Sequence, residues 1–150
     1  MIGATWHAGR VGHTMVRAET ALITGGSGTI GRAIGMALAV GGTNVVLCGR
    51  RAAALDAAAA AIDAATGGGG GGGISTVVAD VTREDEVARA FEEAASRHER
   101  VDLLVNCAGI AIGGPTTDLA PADFARVLEV NVLGPFICSR EAFRTFSAQT

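Results

Sequence analysis

The chain has 150 residues, of which 49% are apolar and 18% are charged, and its net charge is −3. This length is typical of about one domain with a substantial buried core. The mildly acidic balance gives no electrostatic reason to expect nucleic acid or an acidic membrane as a partner, and no stretch reaches the ~18 apolar residues of a membrane helix.

Residues 1–18 show no apolar periodicity and are predicted to be a loose N-terminal tail without the apolar core of a secretory signal. His7 and His13 lie there, but no carboxylate or Cys ligand is close in sequence, so no metal site is predicted. Cys48, Cys107 and Cys138 form no CxxC pair and lie in apolar segments. We therefore expect buried free thiols in a reducing compartment, and a cytoplasmic protein.

After the tail, short apolar runs alternate with helical patterns. TALIT (20–24) and NVVLCG (44–49) are predicted to be buried strands. Between them a helix begins at Thr29 and is stopped by the glycine pair 41–42. An Ala-rich helix follows the second strand, and the seven glycines at 67–73 predict a flexible loop. The residues predicted to form the apolar face of the first helix are Ile30, Ile34, Ala37 and Leu38.

The second half continues the alternation. ISTVVAD (74–80) predicts a third strand, and the helix after it has Thr82 as its expected N-cap. VDLLVNCAG (101–109) predicts a fourth strand and its turn. A long helical segment begins at Pro121, and a Gly-Pro pair at 134–135 should disturb it midway, because Pro has no N–H to donate. The third helix carries first-turn acids Glu84, Asp85 and Glu86 and an apolar stripe of Val87, Phe91 and Ala94.

Continuous apolar strands separated by helices predict parallel strands that are covered on both faces. Right-handed crossovers then give an α/β, Rossmann-like doubly wound sheet, with the expected spatial order 3-2-1-4. We expect one such domain over residues 19–150.

The turn between the first strand and its helix, GGSGTIG (25–31), has the pattern of a phosphate site. Glycines such as Gly25, Gly28 and Gly31 allow tight turning and close approach of the backbone to a ligand. The N–H groups and positive dipole end of the following helix suit a pyrophosphate, and the strand before and helix after the motif meet its structural requirement.

Arg50 and Arg51 follow the second strand, where the adenosine ribose lies in a dinucleotide fold. An acid there would accept a hydrogen bond from the ribose 2′-hydroxyl, whereas an Arg can hold a 2′-phosphate. NADP(H) is therefore favoured over NAD(H). The alternative is that both are solvated arginines at a helix start.

Five segments in this order resemble the short-chain dehydrogenase/reductase family: TGGSGTIG, CGRR, ADV (79–81), NCAG (106–109) and VNVLG (130–134). The resemblance implies an oxidoreductase that transfers hydride between a nicotinamide cofactor and a carbonyl or alcohol. It places Gly25, Ser27, Ile30 and Gly31 at the pyrophosphate, Asp80 and Val81 at the adenine, and Asn106, Ala108 and Gly109 along the cofactor beyond strand four. It also matches Asn131 to the Asn of the family's catalytic tetrad; the alternative, compatible with that match, is a polar residue that accommodates a helix kink.

The sequence departs from the family pattern in places. Thr29 stands where a Gly is common, which fits the glycine spacing of the epimerase-like branch, and Cys107 replaces an Asn; NCAG and VNVLG favour the dehydrogenase branch. The family's remaining tetrad members are a Ser and a Tyr-x-x-x-Lys after a fifth strand. This sequence contains no Tyr, and all its basic side chains other than His are Arg.

We therefore expect a Rossmann domain that is truncated after about four strands and the following long helix, and a chain that is inactive by itself. The alternatives are a non-catalytic nucleotide-binding or subunit-pairing module and an epimerase-type fragment. An open sheet edge and an apolar last helix favour self-association into a homo-oligomer. That helix carries Phe124, Val127, Leu128, Phe136, Ile137 and Phe143.

Overall fold

A computed structural model describes residues 18–67 and 72–149 of the chain. The predicted tail, apart from residue 18, and the centre of the predicted glycine loop, residues 68–71, lie outside the described residues.

The described strands form one parallel sheet. They are β1 (Thr20–Thr24), β2 (Asn44–Gly49), β3 (Ile74–Val78) and β4 (Leu103–Asn106). Their spatial order is β3-β2-β1-β4, so the predicted order is confirmed. All three pairings are parallel, which brings the carboxyl ends of the strands to the same edge.

Helices cover both faces of this sheet. They are α1 (Thr29–Val40), α2 (Ala52–Thr66), α3 (Glu84–His98), α4 (Pro121–Leu128) and α5 (Gly134–Ala148). Because neighbouring strand residues point to opposite faces, Leu22 packs in one core cluster with Phe91 and Ile137, and Ile23 packs in another with Leu55. The α/β Rossmann-like architecture predicted from the alternating pattern is confirmed.

The predicted apolar face of α1 is wrong in part. Its buried residues are Gly31, Gly35 and Ala39, spaced four apart, whereas Ile30 is 70% exposed and Ala37 is also exposed. The helix lies so close to the sheet that a Cβ added to Gly35 would already be in tight contact with core side chains at 3.2–3.4 Å. Small residues therefore face the sheet. Ile34 and Leu38 flank them, half-buried, against the core.

The start of α3 also differs from the prediction. The helix begins at Glu84 after an N-cap at Arg83, and no side chain caps it. The hydroxyl of Thr82 donates instead to Asp80 Oδ1 at 2.8 Å, so Thr82 serves a local turn and not the helix. The predicted acidic first turn and buried stripe are confirmed: Glu84, Asp85 and Glu86 in the former, Val87, Phe91 and Ala94 in the latter.

The predicted disturbance of the long helical segment is confirmed, and it takes the form of a π-helical turn. Pro121 occupies the first turn of α4, and the π-turn (Glu129–Leu133) separates α4 from α5. The N–H of Gly134 donates to the carbonyl of Glu129, five residues back. Pro135 has no N–H for the carbonyl four residues before it, which is a standard reason for a helix to widen.

The continuous segment of α4, the π-turn and α5 (residues 121–148), here called the α4–α5 rod, has an exposed apolar face. Of the apolar residues named for this segment in the sequence, Ile137 is only 3% exposed and belongs to the core, and Val127 is half-buried. The remaining apolar side chains of this face are exposed, namely Phe124, Leu128, Val132, Phe136 and Phe143. Among the described residues, no helix is long and apolar enough to cross a membrane.

Candidate nucleotide-binding site

A cavity of about 220 Å³ lies at the carboxyl edge of the sheet. Its walls come from the carboxyl end of each strand and the segment after it: the glycine turn after β1, residues 49–51 at the end of β2, residues 79–81 after β3 and residues 107–110 after β4. Val130 of the π-turn completes it. This is the position at which open α/β sheets bind ligands, where the strand order reverses.

The glycine turn brings bare backbone to this cavity. Gly25 has a φ of 65°, and its carbonyl accepts a hydrogen bond from the Gly28 N–H at 2.9 Å. A Cβ on Gly25 would lie 2.7 Å from the carbonyl oxygen of Cys107, and one on Gly31 would lie 2.6 Å from the Gly25 oxygen. Helix α1 follows with no side-chain cap and no acidic residue in its first turn. The turn therefore fits an anionic group held by backbone N–H groups.

Thr24 ties this turn to the loop after β4. Its side chain is 1% exposed, and its Oγ1 accepts hydrogen bonds from the N–H groups of Cys107 and Ala108, both at 3.2 Å. The same hydroxyl makes a long 3.5 Å contact with the Val105 carbonyl as donor. Sequence reasoning treated Thr24 as the last residue of a buried strand and missed this role; a Thr directly before a glycine turn was the available signal.

Arg50 and Arg51 line one end of the cavity and are exposed. Arg50 Nη1 lies 3.9 Å from Asp80 Oδ2, with 59% of the Arg50 side chain exposed. Arg51 is the extended residue directly before α2, and its side chain makes no ion pair within the described part of the chain. This end of the cavity therefore carries more positive than negative charge.

Asp80 is held firmly in the loop after β3. Its Oδ1 accepts from the N–H of Thr82 at 3.0 Å, and its own N–H donates to Glu86 Oε2 at 2.8 Å. Burial works to raise the pKa of Asp80, but the hydrogen bonds from Thr82 and the charges of Arg50 and Arg126 outweigh it and hold the pKa below its ordinary 3.8. The carboxylate is therefore ionised at neutral pH.

Asn131 acts on the cavity through Ile110. Its Oδ1 accepts from the Ile110 N–H at 2.9 Å, and its Nδ2 donates to the Ile110 carbonyl at 2.8 Å. The side-chain amide thus grips one backbone unit with both of its ends. Ile110 lines the cavity, whereas Asn131 does not.

Most of the predicted site residues meet in this one cavity. Those that line it are Gly25, Ser27, Gly28, Arg50, Arg51, Asp80, Val81, Ala108 and Gly109. Ile30, Gly31, Asn106 and Asn131 stand outside its lining. Ile30 points to solvent from α1, and Asn106 donates from Nδ2 to Ser139 Oγ at 3.2 Å.

Some lining residues were not predicted, among them Ala79, Ile110 and Val130. Cys107 corrects an expectation, because it is half-buried and lines the cavity, while Cys48 and Cys138 are buried free thiols as predicted. His98 is the last residue of α3, and its Nε2 lies 2.9 Å from Ser75 Oγ on β3, outside the cavity lining. The described residues contain no cluster of three or more His, Cys, Asp or Glu that could hold a metal ion.

Comparison with known proteins agrees with this geometry. The family model for short chain dehydrogenases matches residues 19–150. A short-chain dehydrogenase of Aspergillus ruber is 35% identical over 131 residues, which cover 86% of this chain and 48% of that protein.

Two solved structures resemble the fold closely. A xylitol dehydrogenase bound to NAD+ has a TM-score of 0.80 and 32% identity, covering 87% of this chain and 49% of its own. A variant of an actinorhodin polyketide ketoreductase, solved with NADPH, has a TM-score of 0.77 and 28% identity, covering 85% of this chain and 47% of its own. The chain belongs to the short-chain dehydrogenase/reductase family, whose members bind an NAD(P) dinucleotide.

Proposed function

We propose that this chain provides the dinucleotide site of an NAD(P)(H)-dependent oxidoreductase, in which hydride passes between the nicotinamide ring and a carbonyl or alcohol carbon. The chain spans about half the length of the relatives it matches, so the activity of a whole protein is part of this proposal. The observation that carries it is the meeting of four strand-end loops, one of them bare glycine backbone, in a single cavity.

In this proposal each loop holds one part of the dinucleotide. The glycine turn and the start of α1 bind the pyrophosphate, through the backbone around Gly25, Ser27, Gly28, Ile30 and Gly31. The loop after β3 meets the adenine through Asp80 and Val81. The loop after β4, with Asn106, Ala108 and Gly109, follows the cofactor toward its nicotinamide end.

We propose that NADP(H) is preferred over NAD(H). A 2′-phosphate carries about −1.5 to −2 charge near neutral pH, by analogy with other phosphomonoesters, and guanidinium groups bind it through paired donors. Arg50 already faces the Asp80 carboxylate, so Arg51 is the more available of the two arginines. An NAD(H)-specific site would instead present an acid toward the ribose at this position.

In this proposal the residues of the chain bind and orient the dinucleotide, and they supply little of the proton transfer. When bound, the reduced nicotinamide supplies the hydride. Asn131 fixes the backbone of Ile110 in the cavity wall. This sequence has no Tyr, and no Lys among its basic residues, so we expect the 150-residue chain by itself to bind the dinucleotide without reducing carbonyl compounds.

Titration calorimetry of the chain with NADPH and NADH tests the cofactor assignment. We expect NADPH to bind at least roughly tenfold more tightly, since a charge-assisted hydrogen bond contributes about 1.5–3 kcal/mol and exposure reduces it. Arg51→Gln should remove most of that preference. Arg89→Gln, an exposed arginine on α3 outside the cavity, is the matched control and should leave it unchanged. Equal affinities for the two dinucleotides would overturn the preference, and absence of binding to both would overturn the site.

Self-association through the α4–α5 rod is a second proposal. Its exposed apolar face includes Phe124, Val132 and Phe143, the last 73% exposed, and contiguous apolar patches commonly mark protein interfaces. Sedimentation velocity over a concentration series should show a dimer or larger species that Phe143→Ser weakens. A concentration-independent monomer would contradict it.

Buried reduced thiols at Cys48 and Cys138 support a cytoplasmic location, which we propose on that ground.

A further inference from the structure

Gly134 lies where the π-turn passes into α5, and it is buried against a residue of the cavity wall. A Cβ built on Gly134 would lie 2.8 Å from Val81 Cγ2 and 3.3 Å from Val81 Cβ. The first distance is far shorter than ordinary carbon–carbon contacts of about 3.5–4.0 Å, and the second is tighter than they are. Val81 itself is 7% exposed and lines the cavity beside Asp80.

Neither partner of this contact can easily move aside. Val81 is β-branched and therefore has little freedom at χ1. Its loop is tied by the Ala79 N–H to the Gly49 carbonyl and by the Arg83 N–H to the Asp80 carbonyl, both at 3.0 Å.

On the other side, the N–H of Gly134 closes the π-turn by donating to Glu129, and Pro135 follows with a fixed φ. A side chain at position 134 would therefore push Val81 toward the cavity or push the π-turn away from it. The π-turn itself contributes Val130 to the cavity wall, so either movement changes the shape of the cavity.

We propose that Gly134 is a positioning residue for the adenine end of the nucleotide site. Its missing side chain lets the π-turn seat directly against Val81, and this contact sets where the Val81 methyl groups stand in the wall. Gly134 does not line the cavity and acts only through Val81 and the π-turn. The inference rests on the proposed function, because it assumes that this cavity receives the adenosine part of a dinucleotide.

The test uses adenosine 2′,5′-bisphosphate as the probe, titrated into the full chain by calorimetry, with thermal unfolding measured in parallel without ligand. Gly134→Ala should weaken binding about tenfold, because the added methyl group overpacks this contact and displaces Val81 or the π-turn in the cavity wall. Gly35→Ala is the control. Gly35 is also a buried helical glycine with core side chains 3.2–3.4 Å from an added Cβ, but it does not line the cavity. The Gly35→Ala substitution should lower the unfolding temperature and leave the affinity for the probe within about twofold of the wild type.

Val81→Ala supplies the decisive background, because it removes the methyl group that the new side chain would meet. On that background, adding Gly134→Ala should change affinity by less than about twofold. A folded Gly134→Ala protein that binds like the wild type would overturn the proposal, as would an equal loss on both backgrounds. If Gly134→Ala alone does not fold, the double variant decides. If the double variant folds and binds the probe as Val81→Ala does, the contact with Val81 is the cause. If the double variant fails to fold, or binds more weakly than Val81→Ala, the proposal is overturned. A wild-type chain that does not bind the probe counts against the proposed function instead.

Discussion

Thr24→Val tests whether the hydroxyl of Thr24 joins the glycine turn to the loop after β4. Valine has nearly the shape of threonine, so the substitution removes the hydroxyl and little else. In the wild type, Thr24 Oγ1 accepts from the N–H groups of Cys107 and Ala108 at 3.2 Å each. Valine leaves both donors without that acceptor, beneath the loop that lines the cavity.

The expected cost follows from the number and burial of those donors. An unpaired buried donor costs about 1–3 kcal/mol. Cys107 and Ala108 are half-buried, so each contributes near the lower limit, and the free energy of unfolding should fall by about 2 kcal/mol in total. For a domain of this size that corresponds to a decrease in Tm of about 5–10 °C.

Thr20→Val is the matched control on the same strand. Thr20 is 0% exposed and Thr24 is 1% exposed, but the hydroxyl of Thr20 accepts only one long bond of 3.4 Å, from Asn44 Nδ2. We expect it to cost less than about 1 kcal/mol. Urea unfolding of both variants gives the comparison, and NADPH titration should show weaker binding for Thr24→Val alone. If the two variants unfold within about 0.5 kcal/mol of each other, the inference that Thr24 braces the loop is refuted.

Three further outcomes are expected. Gly25→Ala should lower the free energy of unfolding by about 3 kcal/mol, because φ is 65° and the new Cβ would meet Cys107, whereas Gly113→Ala, with nothing within 4 Å, should be neutral in urea unfolding. Cys107 should react with iodoacetamide before the two buried thiols, and bound NADPH should slow that reaction. Burial raises the pKa of Cys48 to about 12, which keeps that thiol protonated and unreactive. Faster alkylation of Cys48 than of Cys107 would contradict this prediction. The pKa of Asp80 is lower in the folded chain than its ordinary 3.8, so its ionisation stabilises the fold above pH 3.8, and this stabilisation is lost as the pH falls below 3.8. The difference in unfolding free energy between the wild type and Asp80→Asn should therefore shrink as the pH is lowered below 3.8. A difference that grows below pH 3.8 would contradict the pKa shift.

Local patterns predicted the elements because each signal was short-range, and the right-handed crossover rule for parallel strands then predicted the sheet order. Strand runs, helix stops and the Gly-Pro pair at 134–135 act on their own neighbours, and the structure confirms them. The face of α1 was predicted wrongly because apolar side chains were taken as the inward ones. A helix that packs very close to a sheet reverses this rule, and Gly31 and Gly35 lie inside while Ile30 lies outside.

The site was predicted less completely because its geometry joins residues that are distant in sequence. Nothing local in the sequence indicates that Arg50 faces Asp80, thirty positions later. The same applies to Cys107, which lies in an apolar strand-end segment yet lines the cavity. Such pairings depend on the parallel register, which brings the ends of separate strands to one edge.

The residues with the most influence on the cavity need not be those that line it. Thr24 acts on the loop after β4, Asn131 acts on Ile110, and Gly134 acts on Val81. In each case a residue that does not line the cavity fixes the backbone or a stiff side chain of a residue that does. Four of the residues that line the cavity are glycines, which contribute backbone alone. The shape of the wall therefore depends on where its loops stand, and loss of a support moves a whole loop. We therefore infer that nucleotide affinity in this chain depends on these three supports as strongly as on any side chain that lines the cavity.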